Sequence, residues 1–379
     1  MPHTPPNSVG LVEKRSLVLR DHTLEGGATL PEVAVGYETY GRPSPAGDNA
    51  ILICHHYSGT AHAAGRYAPA DQLPGYWDGL IGPGKAFDTD RYYVIATDAL
   101  GNINAYDPRV VTTGPASVDP ATGRRYGTSF PQYTIRDMVH VQRRLLDALG
   151  IERLVAVAGP SMGGEQALEW AVTYPDLLDR AIAVISGPRT SPWLNMLFLS
   201  RIEEAITLDP AWRGGDYDPA HQPLAGLTLA FNLMTVQARG EAWANGYGRV
   251  PADPSRDPYR DRAARFTFQT ELETLSAARA RLVDANQFLW LNRANMLHDL
   301  AHGYASERGA YARIRARLLL VNASSDLWFP PHQAEEFAAA VNAAGGRAEA
   351  RAFATDGGHL AGLGETERFA ADIAAFLRE

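Results

Sequence analysis

Along the chain, short continuous apolar runs alternate with stretches in which apolar residues recur every three to four positions, predicting strands interleaved with helices. Residues 15–19 and 32–40 alternate apolar and polar, the second with Val33, Val35 and Tyr37 on one face, and predict an opening antiparallel hairpin or meander. The runs 49–54 and 92–97 are apolar on both faces, as expected of central parallel strands covered by helices on each side. The Gly/Pro-rich segments 79–85 and 101–130 predict loops. Over 134–149, Ile135, Met138, Val139, Val141, Leu145, Leu146 and Leu149 form one stripe that Gly150 ends, which predicts an amphipathic helix. It leads into an apolar strand at 153–158, a helix carrying Ala167, Leu168, Ala171 and Val172, and a strand at 180–186.

From about residue 187 to about 311 the pattern is helical, with interruptions at Asp209-Pro210, Gly214-Gly215 and 251–262. This stretch holds Trp193, Trp212, Trp243 and Trp290 of the chain's 7 tryptophans, so it predicts a packed unit and not a linker. Strand, helix and strand resume at 316–322, 333–344 and 348–353, and a helix at 366–378 closes the chain. The expected architecture is α/β, with a mostly parallel sheet and helices on both faces. Its core spans 1–186 and 312–379, and a helical lid at 187–311 covers the strand ends where such sheets bind ligands. A separate helical domain beside the core is the alternative. Residues 1–15, polar and Pro-rich, are expected to be frayed.

Composition narrows the function. Apolar content of 45% and a charged fraction of 21% are ordinary for a globular protein, and a net charge of -8 argues against nucleic-acid or anionic-membrane partners, leaving a small molecule. The single cysteine, Cys54, excludes an internal disulfide framework and a Cys-rich zinc site, which suits a reducing compartment. No run approaches the ~18 apolar residues of a membrane span, and the opening M-P-H-T-P-P-N-S lacks the features of a signal peptide. A cytoplasmic enzyme is the expectation.

The candidate chemistry centres on Gly159-Pro160-Ser161-Met162-Gly163, a G-x-S-x-G motif between a predicted strand and a predicted helix. That context is what a nucleophile elbow requires, with the serine at the tip of a tight turn and glycines where strand and helix cross. A serine needs a base oriented by a carboxylate. Asp326 follows the strand 316–322 and His359 follows the last strand, giving the order Ser161, Asp326, His359 of an α/β-hydrolase fold. His298, His302 and His332 are competing bases, and Asp356 is a competing carboxylate. The backbone N–H groups of Met162 and Tyr57 are the expected oxyanion donors, each contributing about 3 to 4 kcal/mol. His55, His56 and His62 cluster, but no carboxylate stands near them at ligand spacing, so no metal site is expected.

With these residues placed, the chain resembles the homoserine O-acetyltransferase family from about residue 14 onward. The resemblance is carried by Cys54-His55 through Gly59, Trp77-Asp78-Gly79-Leu80-Ile81-Gly82-Pro83-Gly84-Lys85, Asp88-Thr89-Asp90-Arg91, Thr134-Ile135-Arg136-Asp137-Met138, Ser161-Met162-Gly163-Gly164 and Gln166-Ala167-Leu168-Glu169-Trp170-Ala171. It implies ping-pong transfer of an acetyl group from acetyl-CoA through Ser161 to an alcohol, with acetyl-CoA or another acyl-CoA as cosubstrate and no permanently bound cofactor. It also implies a homodimer formed through the lid. Two departures bear on the acceptor. Leu360 stands where members acting on homoserine carry an Asp for the substrate ammonium, and Phe231 stands where a G-L-x-x-A-R pattern supplies an Arg for its carboxylate. A zwitterion would meet neither charge partner, at a cost of several kcal/mol, so an acceptor other than homoserine is expected. Pro160 before the serine and the loop 101–113 also depart from the family pattern. Transfer to an alcohol and hydrolysis of an ester or thioester share the same first half and both stay open, with a non-catalytic binding protein on the same fold as a third reading.

Overall fold

The computed structural model describes residues 7–379. Ten strands order the described residues: β1 (Arg15–Thr23), β2 (Thr29–Tyr40), β3 (Ala50–Cys54), β4 (Ile81–Gly82), β5 (Phe87–Asp88), β6 (Tyr93–Thr97), β7 (Leu154–Pro160), β8 (Leu178–Val184), β9 (Arg317–Ala323) and β10 (Arg347–Phe353). Eight of them form one sheet in the order β1-β2-β6-β3-β7-β8-β9-β10. β1, β2 and β6 pair antiparallel and every later pairing is parallel, so the opening hairpin and the parallel centre both appear as the apolar pattern predicts. β3 is buried along its whole length, which is why it reads as an uninterrupted apolar run.

Helix α1 (Ile135–Ala148) begins at a capping box. Thr134 accepts from the Asp137 N–H, and the Asp137 carboxylate accepts from the Thr134 N–H. Helix α2 (Met162–Thr173) follows Ser161 directly. A buried amide chain joins the two: Trp170 Nε1 donates to Gln142 Oε1 at 2.7 Å, Gln142 Nε2 to Gln166 Oε1 at 2.6 Å, and Gln166 Nε2 to the Met162 carbonyl at 3.1 Å. The first turn after the serine is thereby fixed to the neighbouring helix.

Between β8 and β9 no strand joins either sheet. The segment carries the helices Ser200–Thr207, Leu224–Gln237, Thr267–Ala280 and Ala285–Met296, with shorter turns between them. Its Phe198, Phe231, Met234 and Phe288 share a core cluster with Tyr57, Met162 and Trp328, residues that follow the ends of sheet strands. Two further clusters lie on the faces of the sheet, one around Trp170 and Phe337 and the other around Trp77, Phe87 and Phe376.

Three expectations are corrected. Residues 79–85 are not wholly loop, because Ile81–Gly82 pairs in parallel with Phe87–Asp88 under the buried Trp77; the glycine and proline density masks the apolar Leu80-Ile81. The closing helix is broken, with a 3-10 turn at Thr366–Arg368 and a helix at Ala370–Arg378, because Phe369 leaves helical geometry at φ -133° to enter the core. Residues 1–6 lie outside the described residues, but 7–14 are tied down. The Val12 N–H donates to the Arg66 carbonyl at 2.9 Å, and Lys14 Nζ pairs with Asp98 at 3.1 Å and Glu38 at 3.5 Å.

Candidate active site

Ser161 sits between the end of β7 and the start of α2 at φ 55°, ψ -123°. A non-glycine residue there is strained by roughly 1–3 kcal/mol, which only an over-determined surrounding sustains. Its N–H donates to the Val184 carbonyl at 2.8 Å, and its carbonyl accepts from Gly164 at 2.7 Å and Glu165 at 3.0 Å. The flanking glycines are steric necessities. A Cβ on Gly163 would stand 2.1 Å from the Cys54 carbonyl oxygen, one on Gly159 2.4 Å from the Gly163 carbonyl carbon, and one on Gly164 2.5 Å from Ser186 Cβ.

His359 Nε2 lies 2.9 Å from Ser161 Oγ, and His359 Nδ1 lies 2.8 Å from Asp326 Oδ2. All three side chains are buried. The other Asp326 oxygen accepts the N–H groups of Trp328 at 2.8 Å and Phe329 at 3.2 Å, which fixes the carboxylate before any proton moves. His359 reaches the serine because Gly358 adopts φ +67° in a tight crossing, where a Cβ would stand 2.6 Å from the Arg239 carbonyl carbon. The Leu360 N–H donates to the Ala238 carbonyl at 3.0 Å, so the helical segment clamps the histidine loop. The competitors lie elsewhere. Asp356, His302 and His332 are exposed. His298 is buried, and its ring is pushed down to about 4 by that burial.

The loop after β3 is shaped by amides. Asn102 Nδ2 donates to the Gly59 carbonyl at 2.9 Å and Asn104 Nδ2 to the Ser58 carbonyl at 3.2 Å, while Asp98 Oδ1 accepts the Ala61 N–H at 2.7 Å. Among the described residues, the backbone N–H groups of Tyr57 and Met162 donate to no protein acceptor. Unpaired N–H groups of this kind have the chemistry an oxyanion needs. The neighbouring histidines are occupied as structural groups. His55 Nδ1 contacts the His56 carbonyl at 2.7 Å, its Nε2 accepts the Ala99 N–H at 3.0 Å, and His62 Nδ1 meets Glu38 at 3.2 Å. Among the described residues no group of His, Cys, Asp and Glu side chains is placed to hold a metal ion.

An aromatic wall runs away from the histidine. The Trp328 ring stands 4.5 Å from the His359 ring and stacks on Phe198 at 4.1 Å. Tyr57 packs on Phe198 and on Phe288, and Phe231 meets Phe288 edge to face at 5.4 Å. Phe231 is buried, and Leu360 packs against the same cluster. Sequence reasoning missed Trp328, whose buried indole N–H has no protein partner, and Arg279, whose guanidinium covers the Phe231 ring at 4.3 Å. It also missed Glu165, a buried carboxyl in the first turn of α2. The tryptophan lies two positions from Asp326 and was findable by that proximity, whereas Arg279 carries no local signal that separates it from Arg281.

A family profile describing the alpha/beta hydrolase fold matches residues 49–366. The chain is 42% identical over 358 residues to a homoserine O-acetyltransferase of Symbiobacterium thermophilum, covering 94% of this chain and 91% of that protein. The crystal structure of a homoserine O-acetyltransferase from Bacillus anthracis superposes with a TM-score of 0.93 at 38% identity, covering 97% of this chain and 98% of that one. Esterase E22 superposes with a TM-score of 0.90 at 39% identity, covering 97% and 100%. With a helix-presented serine, a histidine and an aspartate in hydrogen-bonded sequence, and with this likeness along nearly the whole chain, the protein is an enzyme that belongs to the homoserine O-acetyltransferase family of the α/β-hydrolase fold.

Proposed function

We propose that this enzyme transfers an acyl group from acyl-CoA, through an ester on Ser161, to an alcohol other than homoserine. The observation that carries the first half is the hydrogen-bonded run from Ser161 Oγ through His359 to Asp326. In the acylation step Oγ attacks the thioester carbonyl as its proton passes to His359 Nε2. The Tyr57 and Met162 N–H groups receive the oxyanion, and the CoA thiolate leaves with the proton from His359. In the second step the acceptor hydroxyl gives its proton to His359 Nε2 and attacks the acyl-enzyme, and Ser161 Oγ leaves and recovers that proton. Asp326 holds the imidazole in the tautomer whose Nε2 faces the serine. The route uses only these side chains and backbone N–H groups, with no resident cofactor.

The acceptor reading rests on Leu360 beside His359 and on Phe231 in the aromatic wall, which together supply neither a carboxylate for an ammonium group nor, at position 231, a cation. Hydrolysis is the second reading, favoured by the likeness to esterase E22. Release of CoA thiol from acetyl-CoA, followed with either L-homoserine or 4-hydroxybutanoate present, separates these possibilities. The expected result is no acceleration by homoserine and acceleration by its amine-free counterpart. Homoserine-dependent release overturns the acceptor reading, and release that no alcohol accelerates turns the assignment to hydrolysis.

We read the helical segment between β8 and β9 as a lid over the site and as the seat of a homodimer. An acyl-CoA donor is in keeping with a cytoplasmic enzyme. Among the described residues no helix is long and apolar enough to cross a membrane.

A further inference from the structure

The helix Thr267–Ala280 brings a guanidinium into the wall of the site. Arg279 Nη2 donates to Ser58 Oγ at 2.9 Å, one residue from the Tyr57 amide, and its Cζ stands 4.3 Å from the centroid of the Phe231 ring. The part-buried guanidiniums of Arg125 and Arg136 are each paired, the first with Asp284 and the second with Glu169 at 2.6 Å and Glu25 at 3.0 Å. Among the described residues Arg279 has no carboxylate within ion-pair distance; its side-chain partner is the neutral Ser58 hydroxyl. Burial therefore lowers it to about 10, whereas acidic neighbours raise Arg125 and Arg136. A position in the last turn of a helix favours a cation through the helix dipole. The dipole does not explain why the group turns onto an aromatic ring and the loop that carries a candidate oxyanion donor.

The charge also points at the reacting end. Ser58 adjoins Tyr57, and Tyr57 packs on Phe288, whose ring meets Phe231 edge to face, so the guanidinium and a candidate oxyanion donor share one wall. Leu360 beside His359 is apolar, and the wall between is aromatic. The wall therefore runs from the candidate base to a guanidinium without a carboxylate partner, and neither Leu360 nor the aromatic rings offer an acidic group to an ammonium. A guanidinium fork is the side chain best matched to a carboxylate.

We infer that Arg279 is the carboxylate-binding residue of the acceptor pocket, restoring from the helix Thr267–Ala280 the cation that position 231 lacks, so that the acceptor class is a hydroxy carboxylate without an ammonium group. The inference rests on Ser161 as the acyl carrier.

The test compares hydrolysis of 4-acetoxybutanoate with that of its methyl ester, two acetyl esters that differ in the charge of the leaving alcohol. The readout is the ratio of their kcat/KM values on one preparation, which cancels any difference in the folded fraction. The wild-type chain should prefer the anionic ester. Arg279→Met should lower the ratio roughly 10- to 100-fold, the size expected of a lost charge-assisted contact. Arg279→Lys should recover part of it, and Arg281→Met, an exposed site with the same change in net charge, should leave it in place. A wild-type chain without the preference, or an Arg279→Met ratio equal to that of wild type, overturns the inference. The esters carry no phosphate, so a changed ratio assigns the anion to the acceptor and not to CoA. Titration of Ser161 with a fluorophosphonate on the same samples isolates the underlying reading. A full titre with an unchanged ratio removes Arg279 alone, and no titre removes both.

Discussion

Ser161 keeps a left-handed φ of 55° because glycines on both sides let β7, α2 and the Cys54 carbonyl approach more closely than any side chain allows. One turn further on, Glu165 is buried, with one carboxylate oxygen unpartnered and no basic side chain among the influences on it. Desolvation pushes it up to about 8 from an ordinary value near 4.5. Between those two values the folded chain holds a proton that the unfolded chain releases. Stability therefore falls as pH rises from about 4.5 through about 8, and above that range the folded state contains a buried carboxylate. Glu165→Gln removes that dependence. Urea unfolding at pH values on both sides of the window should show the variant gaining on wild type by a few kcal/mol toward the alkaline side, since each tenfold difference in proton affinity between the folded and unfolded chain is worth about 1.4 kcal/mol. A difference independent of pH contradicts the assignment.

At the scale of elements, the helices Leu224–Gln237 and Thr267–Ala280 pack against each other and still leave Leu229, Val236, Phe268 and Leu275 exposed. Val236 and Phe268 line one surface cavity, and exposed apolar side chains gathered on a surface mark an interaction face. If that face joins two copies, light scattering on a sizing column gives twice the chain mass, and Leu229→Glu combined with Leu275→Glu gives a monomer. A monomeric wild-type chain contradicts the dimer. The same helices show where sequence reasoning stopped. Strands buried on both faces, such as β3 and β7, declare themselves through continuous apolar runs, and α1 through a stripe ended by Gly150. The helix Thr267–Ala280 buries only Ser276 and Ala280 deeply and is polar around most of its surface. Nothing in its periodicity tells that Arg279 turns inward while Arg281 stays in water. The candidate order Ser161, Asp326, His359 follows from chain order alone, since Asp326 and His359 each trail a strand that ends at the same edge of a parallel sheet. The aromatic wall depends on contacts between Tyr57, Phe198, Phe231, Phe288 and Trp328, which lie far apart in sequence, so no local pattern encodes it.

For the whole molecule, the helical segment between β8 and β9 packs against the loops that follow the sheet strands and carry the candidate site. Residues 238–240 hold the His359 loop, and the helix Thr267–Ala280 reaches the loop after β3 through Arg279 and Ser58. The candidate base, the candidate nucleophile and the aromatic wall therefore come from separate regions of the chain that only the fold brings together. One covalent species is obligatory on this route, an acyl ester on Ser161 formed from the donor and consumed by the acceptor. Mass spectrometry of acid-quenched enzyme after brief mixing with acetyl-CoA or an aryl acetate tests for it directly. The predicted result is a single added acetyl group on the peptide containing Ser161, absent in Ser161→Ala and discharged when a hydroxy carboxylate is added before the quench. Turnover that continues in Ser161→Ala, or an acetyl group found on another residue, would contradict the acyl-enzyme route.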